Sequence, residues 1–381
     1  MTLPVQPPKA DWIDQRDKLE QWLAELSAGT AVGLDTEFMR RNTFYPQLAL
    51  LQLGWQERYA LVDPLAFDIG NALQPLKRSD VVTLMHSASE DLETLVPWLP
   101  EGPGVLFDTQ IAAAFAGMGL GLSYRALVAE MAGVELDKGE TRSDWMQRPL
   151  TASQSAYATL DVVYLDTIHQ QLTERLAQRG RTAWHAEDCE RLKRKSCRRD
   201  GDPQPQLALR GAAEWPREQQ ALLRRILMWR DIAARRLDRP RPWLIEDALA
   251  LSLAQQPPKY LEELEQRSSG QRALRSAQRE EVFELLSLPV TEDEIAQTDS
   301  IPSYPQGAAK QALSAMKQRV DNLAVELDLP PGLLCSRKSL EEYVVTAKWP
   351  EALEGWRRTV LHDQLASLLP DTGLGATQAH C

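Results

Sequence analysis

Long apolar runs are missing from this chain. No stretch approaches the roughly 20 residues that a membrane-spanning helix needs, so no membrane association through such a helix is expected. Cysteine is scarce. Its four copies, Cys189, Cys197, Cys335 and Cys381, are widely spaced, with no C-x-x-C pair and no zinc pattern. They read as reduced thiols of a cytoplasmic protein. The segment Met1 to Lys9 is proline-rich and lacks the apolar core of a signal peptide. Net positive charge is lacking as well: the formal net charge of -11 argues mildly against bulk nucleic-acid binding. Distribution matters more than the sum, because a local basic strip holds phosphates even on an acidic protein. What is present is a globular composition, 43% hydrophobic and 25% charged, over 381 residues, which is enough for two or three domains.

Residues 1–180 read as α/β. Ala31–Phe38, Leu48–Gly54, Arg58–Val62, Val81–His86 and Val105–Phe107 are short apolar runs suited to strands. Helical patterns cover Asp17–Leu26, Ser89–Trp98, Thr109–Ala116, Tyr124–Ala132 and one long stretch from Ser153 to Gln178. The first three strands follow one another with short gaps, which predicts an antiparallel meander joined to helix-flanked strands in a mixed sheet. Residues 181–199 are helical and strongly basic, and a polar, proline-containing break follows at Asp200–Gln206. Beyond it lie two helical blocks, about 210–290 and 308–370, separated by the acidic, proline-containing Leu288–Gly307. The blocks share a loose theme, seen by setting Trp229-Arg230 to Pro242-Trp243-Leu244-Ile245 beside Arg319 to Pro331-Gly332-Leu333-Leu334, and they read as related modules.

The chemistry begins at Gly33-Leu34-Asp35-Thr36-Glu37-Phe38. On a strand, side chains alternate, so Asp35 and Glu37 share a face while Val32, Leu34 and Phe38 point the other way. Two adjacent acids at the core end of a strand repel each other and resist desolvation, so they need a cation. Alone the signal is weak, since 54 acids in 381 residues give roughly eight acid-x-acid triplets by chance. A third acid, Asp91, falls in His86-Ser87-Ala88-Ser89-Glu90-Asp91-Leu92, where a strand ends and a helix begins, with Ser87 and Glu90 in capping-box spacing. Taken singly, Asp91 is an acid favoured there by the helix dipole. A fourth, Asp161, lies four residues after Tyr157 on the inward helix face that continues through Tyr164, Leu165, Ile168 and Leu172, so phenol and carboxylate meet one site. The same spacing at Tyr59 and Asp63 is a decoy: on a strand those residues stand about 13 Å apart. Four carboxylates without Cys or His suit Mg²⁺ or Mn²⁺. Two such ions about 3.5–4 Å apart form the general device for in-line displacement at a phosphodiester, one activating water and one stabilising the leaving oxygen. A tyrosine beside them orients that water, although a pKa near 10 makes it a poor base.

Asp-x-Glu, then Asp, then Tyr-x-x-x-Asp resembles the three motifs of the DEDDy 3′–5′ exonucleases, and more closely the ribonuclease D family. The resemblance is carried by Asp35-Thr36-Glu37-Phe38 through Tyr45-Pro46-Gln47-Leu48 and by Ser89-Glu90-Asp91-Leu92. Leu122-Ser123-Tyr124, Gly133-Val134-Glu135-Leu136-Asp137-Lys138, Asp144-Trp145 and Arg148-Pro149-Leu150 add to it. The helical blocks resemble the helicase-and-RNase-D C-terminal (HRDC) domains of that family. The first copy shows in Met228-Trp229-Arg230-Asp231, Ala233 and Arg235, and the second in Gly355-Trp356-Arg357-Arg358. The resemblance implies a ribonuclease H-like, mixed-sheet nuclease domain at 1–200, HRDC domains at 208–290 and, more divergent, at 308–370, and a flexible tail at 371–381. It implies that Asp35 bridges two divalent ions, Mg²⁺ or Mn²⁺. Glu37 and Asp161 would complete the site on the nucleophile side, Asp91 would serve the second ion, and Tyr157 would position the attacking water. The implied reaction releases 5′-nucleoside monophosphates from RNA 3′ ends, typically trimming tRNA precursors and other small structured RNAs. A cytoplasmic monomer whose partner is RNA is expected.

Phe38, Met39 and His86 are candidates to hold the terminal nucleotide. Arg191–Arg199, including Arg194 and Arg198, and Arg224, Arg225, Arg230, Arg235, Arg236, Arg239 and Arg241 are candidate phosphate contacts, each otherwise an ordinary solvated residue. Trp215, Trp229, Trp243, Trp349 and Trp356 read as core anchors. Two rival readings keep part of this picture. The first is a DNA exonuclease with the same chemistry, because only contacts to the 2′-hydroxyl tell ribose from deoxyribose. The second is a non-catalytic RNA-binding scaffold.

Overall fold

A computed structural model describes residues 6–137, 139–140 and 143–370. The expected tail at 371–381 and the motif residue Lys138 lie outside the described residues. Six strands form one mixed sheet in the order β1-β4-β3-β2-β5-β6. They are β1 (Asp11–Ile13), β2 (Ala31–Met39), β3 (Gln47–Trp55), β4 (Arg58–Val62), β5 (Val82–Met85) and β6 (Val105–Asp108). The meander β2–β3–β4 is antiparallel, and β1, β5 and β6 join in parallel. The hairpin from β3 to β4 turns through Gln56 and Glu57, both with positive φ (48° and 61°), the backbone that a tight two-residue hairpin requires. β1 escaped the sequence reading because three residues at a sheet edge carry no periodicity.

One feature of the register sets up everything near the acids. β5 pairs only with Ala31, Val32 and Gly33 of β2, whereas β2 runs on against β3 as far as Met39. From Leu34 onward, β2 therefore has no strand neighbour on one side. The carboxyl ends of β2 and β5 open a notch there, the place where ligands gather in open α/β sheets.

Helices cover both faces. Val32, Leu34 and Leu53 pack with α1 (Arg16–Ala24) and α2 (Ser89–Leu95) in one apolar cluster. On the opposite face lie α3 (Thr109–Phe115), α4 (Tyr124–Ala132), α5 (Ala152–Val163) and α6 (Leu165–Gln178). The single helix expected over Ser153–Gln178 is thus two. The Tyr124 hydroxyl causes the break: it donates to Leu160 O (3.1 Å) and accepts from Tyr164 N (3.3 Å). Those groups would bond to each other in an unbroken helix, and a side chain inserted into the ladder kinks it.

The basic helix α7 (Thr182–Ser196) leads to the helical blocks. The first contains α8 (Arg217–Leu237), α9 (Arg241–Leu244), α10 (Asp247–Gln255), α11 (Leu261–Arg267), α12 (Ser276–Ser287) and α13 (Glu292–Gln297). The second contains α14 (Gly307–Glu326), α15 (Pro331–Leu334), α16 (Arg337–Thr346) and α17 (Trp356–Ala366). The two share a detailed backbone theme. A long helix ends on a left-handed aspartate, Asp238 or Asp328, both with φ 48°, and Pro240 or Pro330 follows. A four-residue helix and an extended residue then lead into α10 or α16. In this alignment Trp229-Arg230 lies within α8 but Trp356-Arg357 opens α17, so the pair is not a shared motif of the two blocks.

Their attachment differs. The first block has its own core, into which Phe44 from the β2–β3 loop inserts. Asp238 Oδ1 accepts from Phe44 N (2.9 Å) and Tyr45 N (3.0 Å), and the guanidinium groups of Arg235 and Arg241 lie 4.8 and 4.6 Å from the Phe44 ring centre. The second block shares one continuous core with the nuclease half, with Phe115, Leu172 and Leu176 packed among Met316, Leu334 and Leu365. Trp356 stacks on Trp184 at 4.5 Å, and Arg357 grips buried Asp188 with two bonds of 2.6 and 2.7 Å.

Candidate active site

β2 alternates as its sequence requires. Gly33, Asp35 and Glu37 face α5 and α6, while Val32, Leu34 and Thr36 face α1 and α2. Close approach of the helices depends on Gly33: a Cβ there would lie 3.1 Å from Leu165 Cδ1 and 3.3 Å from the carbonyl oxygens of Gly54 and Val162. That approach lowers Asp161, on α5, onto the strand. Carboxylate oxygens of Asp35, Glu37 and Asp161 lie within 4.8 Å of one another. α5 is itself anchored by a capping box, Thr151 with Gln154, and is cut off by Tyr124 just after Asp161.

Asp91 reaches the same notch from α2 but stands apart from the tight cluster. Its Oδ1 accepts a 2.5 Å hydrogen bond from Thr36 Oγ1, so the residue between the two strand acids holds the third. The expected Ser87–Glu90 capping box does not form. Ser87 takes a left-handed conformation (φ 60°), and Ala88 occupies the cap position without a side-chain bond. The start of α2 is tied instead by Asp108, fully buried at the end of β6. Asp108 accepts from Ala88 N (2.8 Å) and also caps α3 through Gln110 N (2.8 Å) and Ile111 N (3.1 Å). Sequence reasoning missed Thr36, Asp108 and Tyr124 as site builders. Only the Asp at the N-cap position of α3 left a local signal.

The four carboxyls repel one another, and among the described residues no cation of the protein lies among them. Burial, followed by repulsion from Asp91, Asp161 and Glu37, holds the Asp35 carboxyl well above the usual carboxylate range. Burial and then Asp161 and Asp91 push Glu37 up to about 9. Burial and then Asp91 push Asp161 to about 8. Asp91 rises through burial only to about 6, because the Thr36 hydrogen bond favours its ionised form. Among the described residues, no lysine or arginine offsets these shifts. Such a set ionises only when a cation neutralises it, and hard oxygen donors fit a divalent one. Tyr157 stands one turn before Asp161. Burial and then Asp161, Glu37 and Asp35 hold its phenol above the ordinary tyrosine value, so it stays protonated. The segment carrying Gly139 lies against its ring.

The remaining candidates separate. Phe38 and Met39 lie half-buried beyond a register shift in β2 at Glu37/Phe38. His86 borders the site, its Nδ1 2.9 Å from Thr109 Oγ1 and its ring 5.6 Å from that of Tyr124. Arg194 and Arg198 are exposed on and just after α7. Arg230 and Arg235 are engaged inside the first helical block, with Asp247 (2.7 Å) and Asp231 (2.7 Å) respectively. Arg225, Arg236 and Arg241 are likewise paired, with Glu294, Glu281 and Asp231. The decoy aspartate Asp63 pairs with Arg148 at 2.8 Å, a structural contact. Trp243 is absent from the core of its block, unlike Trp215 and Trp229.

Comparison with known proteins agrees with this chemistry. The 3′–5′ exonuclease family matches residues 10–177. Ribonuclease D of Xanthomonas oryzae pathovar oryzae is 42% identical over 363 residues, which are 94% of this chain and 98% of that protein. Ribonuclease D of Pseudomonas paraeruginosa is 34% identical over 378 residues, covering 96% and 99%. The crystal structure of Escherichia coli RNase D, described as an exoribonuclease involved in structured RNA processing, superposes with a TM-score of 0.80 at 28% identity over 94% of this chain and 98% of that one.

Proposed function

The chain belongs to the ribonuclease D family of 3′–5′ exoribonucleases, and from that premise we propose that it trims the 3′ ends of tRNA precursors and other small structured RNAs by a two-metal-ion hydrolysis. The observation that carries this reading is the convergence of Asp35, Glu37 and Asp161 within 4.8 Å, without a protein cation among the described residues and with Tyr157 one turn away. Asp35 would hold both ions, Mg²⁺ or Mn²⁺. Glu37 and Asp161 would complete the nucleophile side, and Asp91 the leaving-group side. Bound there, the pair supplies charge stabilisation and an activated water at neutral pH.

The protein's own groups do the rest. The protonated Tyr157 phenol orients the attacking water by hydrogen bonding and takes no proton from it. Thr36 keeps the Asp91 carboxylate in one rotamer and ionised. The half-buried setting of Asp35 and Asp161 limits the bulk water that reaches the reacting phosphate. Phe38, Met39 and His86 line the path of the terminal nucleotide, and exposed Arg194 and Arg198 meet the RNA backbone. The helical blocks are HRDC-type domains, at 208–290 and 308–370, and the protein acts as a cytoplasmic monomer.

The test is product analysis on a tRNA precursor bearing a 3′ extension. Release of 5′-nucleoside monophosphates one at a time, dependent on Mg²⁺ or Mn²⁺ and lost in Asp35→Asn, is expected. Products with 3′-phosphates, or full activity in excess chelator, would overturn it.

A further inference from the structure

With the arginines of α8 mostly tied into internal pairs, RNA upstream of the scissile bond needs other contacts. Between the β2–β3 loop and the first helical block lies an open hollow of about 570 Å³, lined by Asn42, Arg239, Trp243, Arg272, Arg275 and Gln278 among others, with no carboxylate in its wall. Arg239 is fixed by backbone carbonyls, donating to Asn42 O (3.2 Å) and Asp238 O (3.1 Å), which leave its charge unneutralised. The Arg272 guanidinium lies 5.3 Å from the centre of the Trp243 ring, a contact that also keeps the charge. Arg275 is exposed where α12 begins, so the positive end of that helix borders the same space. Among the described residues, none of the three makes an ion pair, in contrast to Arg225, Arg230, Arg235, Arg236 and Arg241. Three guanidinium groups around one acid-free hollow, with an indole in its wall, match the chemistry of a phosphodiester strand.

We propose that this hollow is a binding subsite for the RNA backbone upstream of the scissile bond, a proposal that rests on the exoribonuclease reading. Its place follows from the chain. Asn42 lies five residues beyond Glu37, so the two are separated by at most ~17 Å. At ~3.4 Å per stacked nucleotide, that bound puts the hollow within about five nucleotides of the cleavage point. A dinucleotide has only the scissile phosphodiester and a trinucleotide one more, so neither can engage three guanidinium groups, whereas longer RNA can.

The experiment compares the full chain with the triple variant Arg239→Ala, Arg272→Ala, Arg275→Ala on di- and trinucleotides and on single-stranded RNA of about a dozen nucleotides. On the short substrates kcat and KM should match the unaltered chain. On the long RNA, KM should rise at least about tenfold with kcat unchanged. The slope of log affinity against log salt should fall by about 2, the value for three lost phosphate contacts on a single strand. The matching Arg→Lys triple should keep that slope. An equal defect on short and long substrates would mean damage to folding or catalysis and overturn the subsite, as would an unchanged KM and salt slope on long RNA. Failure of the unaltered chain on both lengths would instead overturn the exoribonuclease reading, and the subsite with it.

Discussion

Among single residues, the one between the two strand acids is the least obvious and the most informative. Thr36 could be dismissed as strand filling, yet its hydroxyl fixes Asp91, the only acid of the four outside the tight cluster. Thr36→Val keeps the volume and removes the donor, leaving a carboxylate without its partner at a cost of about 1.5–3 kcal/mol. A Mn²⁺ titration by calorimetry should then show the weaker of two ions lost or weakened at least tenfold, with the tighter one retained; Thr36→Ser should restore both. Equal binding in Thr36→Val would mean that Asp91 needs no such anchor. The carboxyl shifts set a pH signature. Glu37, near 9, and Asp161, near 8, lie above their unfolded values, so the metal-free fold holds protons that the unfolded chain has released. This contribution to stability is full below about pH 4 and is lost as pH rises through about 8 to 9. Divalent ions bind the ionised forms, so the gain in melting temperature on adding Mn²⁺ should grow steadily from pH 6 to pH 9. Glu37→Gln should raise the metal-free melting temperature at pH 8.5 and abolish most of the Mn²⁺ gain. A gain independent of pH would contradict the assignment. The acids were legible in sequence because carboxyls set in apolar strand and helix patterns stand out from their surroundings. Thr36 was not, since a hydroxyl on an inward strand face serves equally well in a core.

Elements show where periodicity succeeds and where it stops. The strands β2 to β6 and the helices α1 to α4 follow the sequence pattern to within a few residues, because each buries one face and alternation or helical spacing records it. The break between α5 and α6 left no such record. No proline or glycine marks it; a phenol from α4, distant in sequence, inserts at Leu160 and Tyr164. Removing that hydroxyl in Tyr124→Phe lets Leu160 O and Tyr164 N bond directly and straightens the helix immediately after Asp161. Stability should change by only about 1–2 kcal/mol, since one buried bond replaces two. Activity should fall by about 10²-fold, the scale of an ångström-sized misplacement of a catalytic group. Urea unfolding and single-turnover cleavage, measured side by side, separate these effects, and a proportionate loss in both would reduce Tyr124 to a packing residue.

At the scale of the whole molecule, the two helical blocks are fastened in different ways. The first is clasped by Phe44 and Asp238 at the loop that directly follows β2, the strand that carries Asp35 and Glu37, so its position and that of β2 are linked. The second shares its core with the nuclease half, and Arg357–Asp188 is sealed within that contact. Arg357→Met removes both guanidinium bonds from buried Asp188 and leaves it the Trp356 indole at 3.1 Å and Arg191 at 3.7 Å, so the cost in urea unfolding should be about 2–3 kcal/mol, below that of a fully unpaired buried charge. Adding Asp188→Leu should recover much of that loss. A cost below 1 kcal/mol would show the contact to be weak. For the same reason, removing residues 208–381 exposes Phe115, Leu172 and Leu176, and point variants are the cleaner probe of how the blocks serve RNA.

By itself, the sequence determined the chemistry: four acids and a tyrosine whose types, spacing and local settings suit a divalent-metal nuclease, on strands and helices whose periods are written locally. Only the tertiary structure decided how those acids meet. β2 outruns β5 and opens the notch; Gly33 lets α5 descend; Thr36, Asp108 and Tyr124 hold the acids and the elements that carry them from positions far apart in the chain. It also decided which arginines, among the described residues, lack a carboxylate partner. Pairing with a distant carboxylate is invisible in a one-dimensional pattern, so Arg230 and Arg239 look alike in sequence yet differ in what they leave for RNA.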